Sequence, residues 1–330
     1  MSMEIRGVSP SSPTVRTCCI LSERQFPRPF KDNIFDYGKD KIDHKSGFAI
    51  PFFKDVSGIV YTCSAGFIDL GHVRDNVDLT AYYYRRLQVS GREGVIDAGT
   101  SITPPLHSGI ITIKKNITSN NDLMSVAQSL SYDESAWHEI YSYWKGIGYH
   151  NSAFSPEDLV SNLLGTYVAR NAILSGGNFD RSVTDELGKL LKSLGACKRS
   201  ETENAFKKIR SLNWIKGGIT SGDFLQKRNF GILNVPSGLG LESWRIVEPW
   251  YVSDISGCTS STFPADLKPY LPPDIQSFYE MEFSLPLGTE LWIVRQYIGS
   301  DTLKSTDFNA QIQKIRSNAY SLYKEGYDRP

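Results

Sequence analysis

The 330-residue chain contains no apolar run that reaches the ~18–20 residues needed to cross a membrane as a helix. It has no charge excess of either sign, with Lys+Arg and Asp+Glu equal at 36 each. Without a basic run or stripe, general electrostatic binding to nucleic acid or anionic lipid is excluded as an expectation. There is no P-loop, no GxGxxG and no HExxH, so no nucleotide fingerprint and no zinc-protease helix. Cysteine is scarce and odd in number. Cys18, Cys19, Cys63, Cys197 and Cys258 form no CxxC pair and no regular framework, so buried free thiols are the expectation for most of them.

The N-terminus, MSMEIRGVSPSSPTVRTCC, lacks the apolar segment of a signal peptide. The chain therefore reads as cytoplasmic when synthesised. A mature envelope protein, or an effector exported without such a signal, would look the same. What is present is ample core material: 40% of residues are hydrophobic and 12% aromatic. Neither internal repeats nor a linker divide it. The expectation is a single, mainly helical α+β domain with a small β component. Residues 1–45 form a surface-wrapping segment, 46–212 a helical core, and 213–330 a mixed β and loop region ending in a helix.

Short strands are expected in SGFAIPFF (46–53), SGIVYTCSAGF (57–67) and HSGIITIKKNIT (107–118). Helices are expected over 68–88 and 120–146, the second stopped by Gly146 and Gly148. In SAFSPEDLVSNLLG, Ser155 reads as an N-cap, Pro156 as the first helical residue and Asp158 as its capping-box partner. Ser200 and Glu203 offer a second capping box. Leu187, Leu190, Leu191 and Leu194 line one helix, and Phe308, Ile312, Ile315, Ala319 and Leu322 another. ELWIVRQYI (290–298) reads as a β-like run. Trp244 and Trp250 in VPSGLGLESWRIVEPWYV (235–252) read as core packing or an aromatic substrate wall.

Chemistry is suggested where polar groups fall in apolar stripes. Over 120–146, Leu123, Val126, Ala127, Leu130, Trp137, Tyr141 and Trp144 share a face. Glu134 lies inside that stripe and His138 beside it, four residues on, while Glu139 points to the opposite, solvent side. A carboxylate among Leu and Trp needs a proton, a partner or a cation. In GFIDLGHVRDNVDL (66–79), both helical faces are largely apolar, so His72 and Asp75 are expected to line an internal cleft. Arg74 and Asp78 lie between the faces, at the surface or at the cleft edge. His72, Glu134 and His138 make a three-ligand set for a divalent metal, zinc first, with a position left open for water. Asp75 would serve as general base and Arg74 would hold an anion or developing oxyanion. The alternative is a Glu–His tether without catalysis. Cys63 offers a competing site, a thiol between strand and helix with His72, His107 or His138 as base. TCSAGF is loosely similar to the CSGF segment of cell-wall cysteine peptidases, with one extra residue. Ser155, Asp158 and Asn162 carry little weight, because capping accounts for the first two.

Three blocks, GIVYTCSAGFIDLGHVRDNVDLTAYY, SYDESAWHEIYSYW and SAFSPEDLVSNLLG, with the paired cysteines of TVRTCC, resemble the shared blocks of an uncharacterised bacterial family, domain of unknown function 4056. The resemblance covers roughly the first half of the chain. It implies a bacterial source and no particular activity. Members often look like envelope proteins with export signals. The matched blocks contain Cys63, His72, Arg74, Asp75, Glu134, His138, Asp158 and Asn162. The functional expectation is a metal-dependent hydrolase acting on a small molecule, lipid or peptide. A Cys63-dependent thiol hydrolase and a noncatalytic interaction protein or secreted effector are the alternatives.

Overall fold

The computed structural model describes residues 34–44, 58–89, 94–98, 108–145, 153–218, 222–225, 227–231, 247–259, 262–263, 274–285 and 292–323. Cys18, Cys19, His107, the run at 46–53 and residues 235–246 lie outside what is described, as does the side chain of Leu322. A hairpin leads into the core: β1 (Ile59–Thr62) pairs antiparallel with β2 (Gly66–Asp69), and α1 (Leu70–Val89) begins at the next residue. Asp69 holds that junction, its Oδ1 accepting from the Gly71 N–H at 2.7 Å. Gly66 turns the hairpin at φ 66°. A Cβ there would sit 2.0 Å from the Trp250 carbonyl oxygen, so both conformation and space demand glycine.

The sheet begins with β3 (Gly94–Ala98) and β4 (Ser108–Ile113). Three helices then form the centre: α1, α2 (Asn120–Lys145) and α3 (Asp158–Ser175). α1 packs against both of the others, as its two apolar faces require. α1 and α3 meet at Gly165, where an added Cβ would lie 2.3 Å from the Val73 carbonyl oxygen. α2 is tied to α1 by hydrogen bonds as well, with Ser131 Oγ donating to Asn76 Oδ1 at 3.0 Å. α4 (Phe179–Ser193) buries Leu187, Leu190 and Leu191. Asn178 caps it by accepting from the Arg181 N–H. α5 (Arg199–Ser211) follows.

β5 (Ile215–Gly218) and β6 (Gly222–Leu225) make a separate hairpin. β7 (Tyr279–Ser284), α6 (Trp292–Ile298), β8 (Thr302–Lys304) and α7 (Phe308–Tyr323) complete the fold. The main sheet runs β3-β4-β7-β8, antiparallel throughout. It packs on α2 through Trp137, stacked on Phe283 at 5.1 Å, and Phe308 of α7 extends the stack. Phe308, Ile312, Ile315 and Ala319 are fully buried, as their spacing predicts. The chain is thus a mainly helical α+β domain with small antiparallel sheets.

Four local expectations are corrected. ELWIVRQYI contributes a helix over 292–298, because a short apolar run reads equally as buried helix or strand. Ser200 lies inside α5, whose N-cap is Lys198, with no side-chain capping bond. The described part of the N-terminal segment is not all surface wrapping: Ile34, Phe35, Asp36 and His44 are buried. His44 Nε2 lies 3.0 Å from Asp78 Oδ1, and Arg74 Nε donates to His44 Nδ1 at 3.3 Å. Arg74 and Asp78 are accordingly interior residues, 0% and 1% exposed, that pin the segment at 44 to α1.

Candidate metal centre

The end of β2, the first turn of α1, the C-terminal part of α2 and the start of α3 converge on His72. Its Nδ1 lies 3.2 Å from Asp69 Oδ2 and 3.6 Å from Asp158 Oδ1, and its Nε2 lies 3.9 Å from Glu139 Oε1. One possible ligand atom from each of His72, Glu139 and Asp158 falls within 4.8 Å of the others. A fourth carboxylate, Glu157, adjoins them and interacts electrostatically with both Asp69 and His72. All five residues are buried.

The backbone fixes this constellation. Glu139 Oε2 accepts from the Phe154 N–H and Asp158 Oδ2 from the Ser155 N–H, both at 2.7 Å. Ser161 Oγ accepts from the Asp69 N–H at 2.8 Å and donates to the Glu157 carbonyl at 2.6 Å, joining β2 to α3. Ser155 Oγ donates to Glu157 Oε2 at 2.5 Å, while Glu157 Oε1 is buried without a hydrogen-bond partner. Nearby, Asn76 Nδ2 donates to Asn162 Oδ1 at 2.8 Å.

Gathering four carboxyl groups around one imidazole away from water is electrostatically costly. Burial pushes the Glu157 carboxyl up to about 8, with Asp69 adding to the rise and Ser155 and His72 opposing it. Burial also drives Asp158 well above the usual carboxylate range, with Glu139 reinforcing the shift and His72 opposing it. A divalent cation would remove this cost by replacing the protons.

The structure redistributes the expected site residues. His72 is at the centre, 8% exposed. His138 and Glu139 exchange roles: His138 is exposed and Glu139, expected in solvent, is 3% exposed and faces His72. Glu134 is buried as its stripe predicts, but its carboxylate accepts a hydrogen bond from the Tyr83 hydroxyl. Burial lifts Glu134 to about 7, against the pull of that bond. Among the described residues, His72, Glu134 and His138 are not brought together as a possible ligand set; His72, Glu139 and Asp158 are. Asp75 lies on the His72 side of α1, three residues along, and is half-buried, outside that set. Arg74, two residues along, turns toward His44 instead.

Cys63 is not a free thiol, because it forms a disulfide with Cys258, 195 residues later. It therefore presents no thiolate for nucleophilic attack in this form. Ser155 does not cap α3 through its side chain. α3 starts at Asp158 with Glu157 as its N-cap. The reach of Asp158 to the Ser155 N–H is the expected half of the capping pair. Its other oxygen faces His72, which capping alone conceals. Asp69 and Glu157 were not singled out in the sequence. The signal available for Asp69 was its acidic position in GFID, a strand otherwise without polar side chains.

A family model described as "Protein of unknown function (DUF4056)" matches residues 32–234. The chain belongs to that family. The matched span contains all five residues of the centre. No curated protein matches the chain, and no solved structure does. Among the described residues, no helix is long and apolar enough to cross a membrane.

Proposed function

We propose that this family member is a metal-dependent hydrolase whose divalent ion is held by His72, Glu139 and Asp158. The observation that carries the reading is the buried surplus of carboxylates around one imidazole, with Glu157 Oε1 left without a partner. One imidazole with oxygen donors suits zinc and also harder first-row ions such as manganese. A bound ion supplies the Lewis acidity that makes water a nucleophile near neutral pH. With its Nδ1–H directed at Asp69, the His72 ring would be held in place and Nε2 left to face the ion. Glu157, steadied by Ser155 through one oxygen, uses the other to take a proton from the attacking water. The same carboxyl, once it carries that proton, returns it to the leaving group.

A second reading rests on a specific observation. Glu139 and Asp158 each spend one oxygen on a backbone N–H, so the cluster also serves as a tether between α2, α3 and the turn at 154–155. In an interaction protein it would do only that. Chromogenic esters, phosphomonoesters, phosphodiesters and peptide amides offered to protein loaded with zinc or manganese separate the two. The hydrolase reading expects cleavage of at least one class, lost on chelation and in Glu157→Gln with the ion still bound. No cleavage by loaded protein, or cleavage indifferent to both changes, overturns it.

A further inference from the structure

Three sulfurs meet at the turn of the β1–β2 hairpin, the end away from Asp69. Cys63 lies in its turn, Cys197 follows α4, and Cys258 lies in the segment after residue 250. Their sulfur atoms are within 4.8 Å of one another. Cys63 and Cys258 share the disulfide, and the Cys197 thiol is 3.8 Å from Cys258 Sγ. In a tetrahedral thiolate site with zinc–sulfur bonds near 2.3 Å, neighbouring sulfurs lie about 3.8 Å apart. The Cys197–Cys258 edge already has that length.

We propose that, once the disulfide is reduced, Cys63, Cys197 and Cys258 together bind one thiophilic divalent ion, zinc by preference. The site is independent of the His72 cluster and of the hydrolase reading. Reduction by a dithiol supplies two electrons and two protons, breaks the Cys63–Cys258 bond and leaves three thiols. Binding then releases their three protons to solvent, and three sulfur–metal bonds form.

The surrounding backbone keeps the sulfurs together after the covalent bond opens. The Cys63 and Ser64 N–H groups donate to the Gly195 and Leu194 carbonyls, each at 3.1 Å, and the Cys197 N–H donates to the Tyr61 carbonyl at 2.9 Å. On the third side, the Tyr251 hydroxyl donates to the Ser64 carbonyl and Tyr61 is bonded to Val252. Gly195, at φ 64°, closes one wall: a Cβ there would stand 3.2 Å from Cys63 Cβ and 3.4 Å from its sulfur. Cys63 and Cys258 are half-buried, so an ion has a way in, and Cys197 forms the floor. Glu201 lies close enough to act on the Cys197 thiol, and its Oε2 is buried without a hydrogen-bond partner. The three sulfurs leave the fourth position to a water.

The test uses the full chain, reduced and desalted without oxygen, then titrated with cobalt(II) as a spectroscopic stand-in for zinc. One equivalent should develop intense thiolate-to-cobalt charge-transfer absorption, a signature the oxygen-rich His72 cluster does not give, and zinc should erase it. Cys197→Ser should lose most of that absorption and His72→Ala should keep it. X-ray absorption at the zinc edge of reduced His72→Ala, loaded with one equivalent of zinc, should show three sulfur neighbours at about 2.3 Å. Absence of sulfur neighbours, or absorption unchanged by Cys197→Ser, overturns the proposal.

Discussion

Glu134 provides a stability experiment with a definite sign. Its carboxyl is buried between α1 and α2 and raised from 4.5 to about 7. Because the folded value is the higher one, the native state holds a proton that the unfolded chain releases above about pH 4.5. Stability from this group is therefore complete at acidic pH and declines as pH rises through the interval from 4.5 to about 7, then levels off. At 1.36 kcal/mol per unit, the full loss is about 3 kcal/mol, of which about 2.5 kcal/mol falls between pH 5 and pH 8. Glu134→Gln keeps the shape and an oxygen to accept from Tyr83, but never ionises. The variant should nearly match wild type at pH 5 and exceed it by about 3 kcal/mol at pH 8. Urea unfolding followed by tryptophan fluorescence at both pH values measures the difference. Equal stability at the two pH values relative to wild type, or a variant weaker than wild type at pH 8, refutes a carboxyl held protonated by burial.

Gly165→Ala should destabilise the fold by several kcal/mol, on the order of the larger overpacking costs. Its Cβ would meet the Val73 carbonyl at 2.3 Å and Asn76 Cβ at 2.6 Å, so α1 and α3 must separate. Denaturant midpoints check this, and a neutral outcome would mean the helices do not cross that closely. Cys258→Ser in unreduced protein should cost about 3–5 kcal/mol, because the bridge spans 195 residues. Mass mapping of cysteine-containing peptides should find the Cys63–Cys258 link in the parent. Trp137→Ala should cost about 3–5 kcal/mol by thermal or denaturant unfolding, since the ring is 0% exposed and stacked on Phe283.

The sequence showed local order well and long-range pairing poorly. The apolar spacing of α1, α4 and α7 translates directly into buried faces, and the two-sided character of α1 leads to its place between α2 and α3. α2 exposed the limit of periodicity. From Ser129 to Trp144 nearly every position is buried, so a stripe argument cannot choose between His138 and Glu139. The one exposed position there is His138, the residue that the stripe places beside Glu134. Asp158 was hidden by a sufficient local explanation: a carboxylate can cap with one oxygen and face a histidine with the other. Asp69 and Glu157 became visible only when β2 and α3 came together through Ser161. The Cys63–Cys258 pair depends on chain closure across most of the molecule, which no local spacing encodes.

The central claim is an ion at His72, Glu139 and Asp158, and metal content measures it directly. Unreduced protein, its thiol cluster still closed by the disulfide, is dialysed with zinc or manganese, washed, and assayed by elemental mass spectrometry. The account predicts one retained equivalent, undiminished in Glu134→Gln and His138→Ala. That equivalent should be lost in His72→Ala and Asp158→Asn, with circular dichroism showing the variants folded. No retained ion in wild type, or full retention in folded His72→Ala, contradicts it.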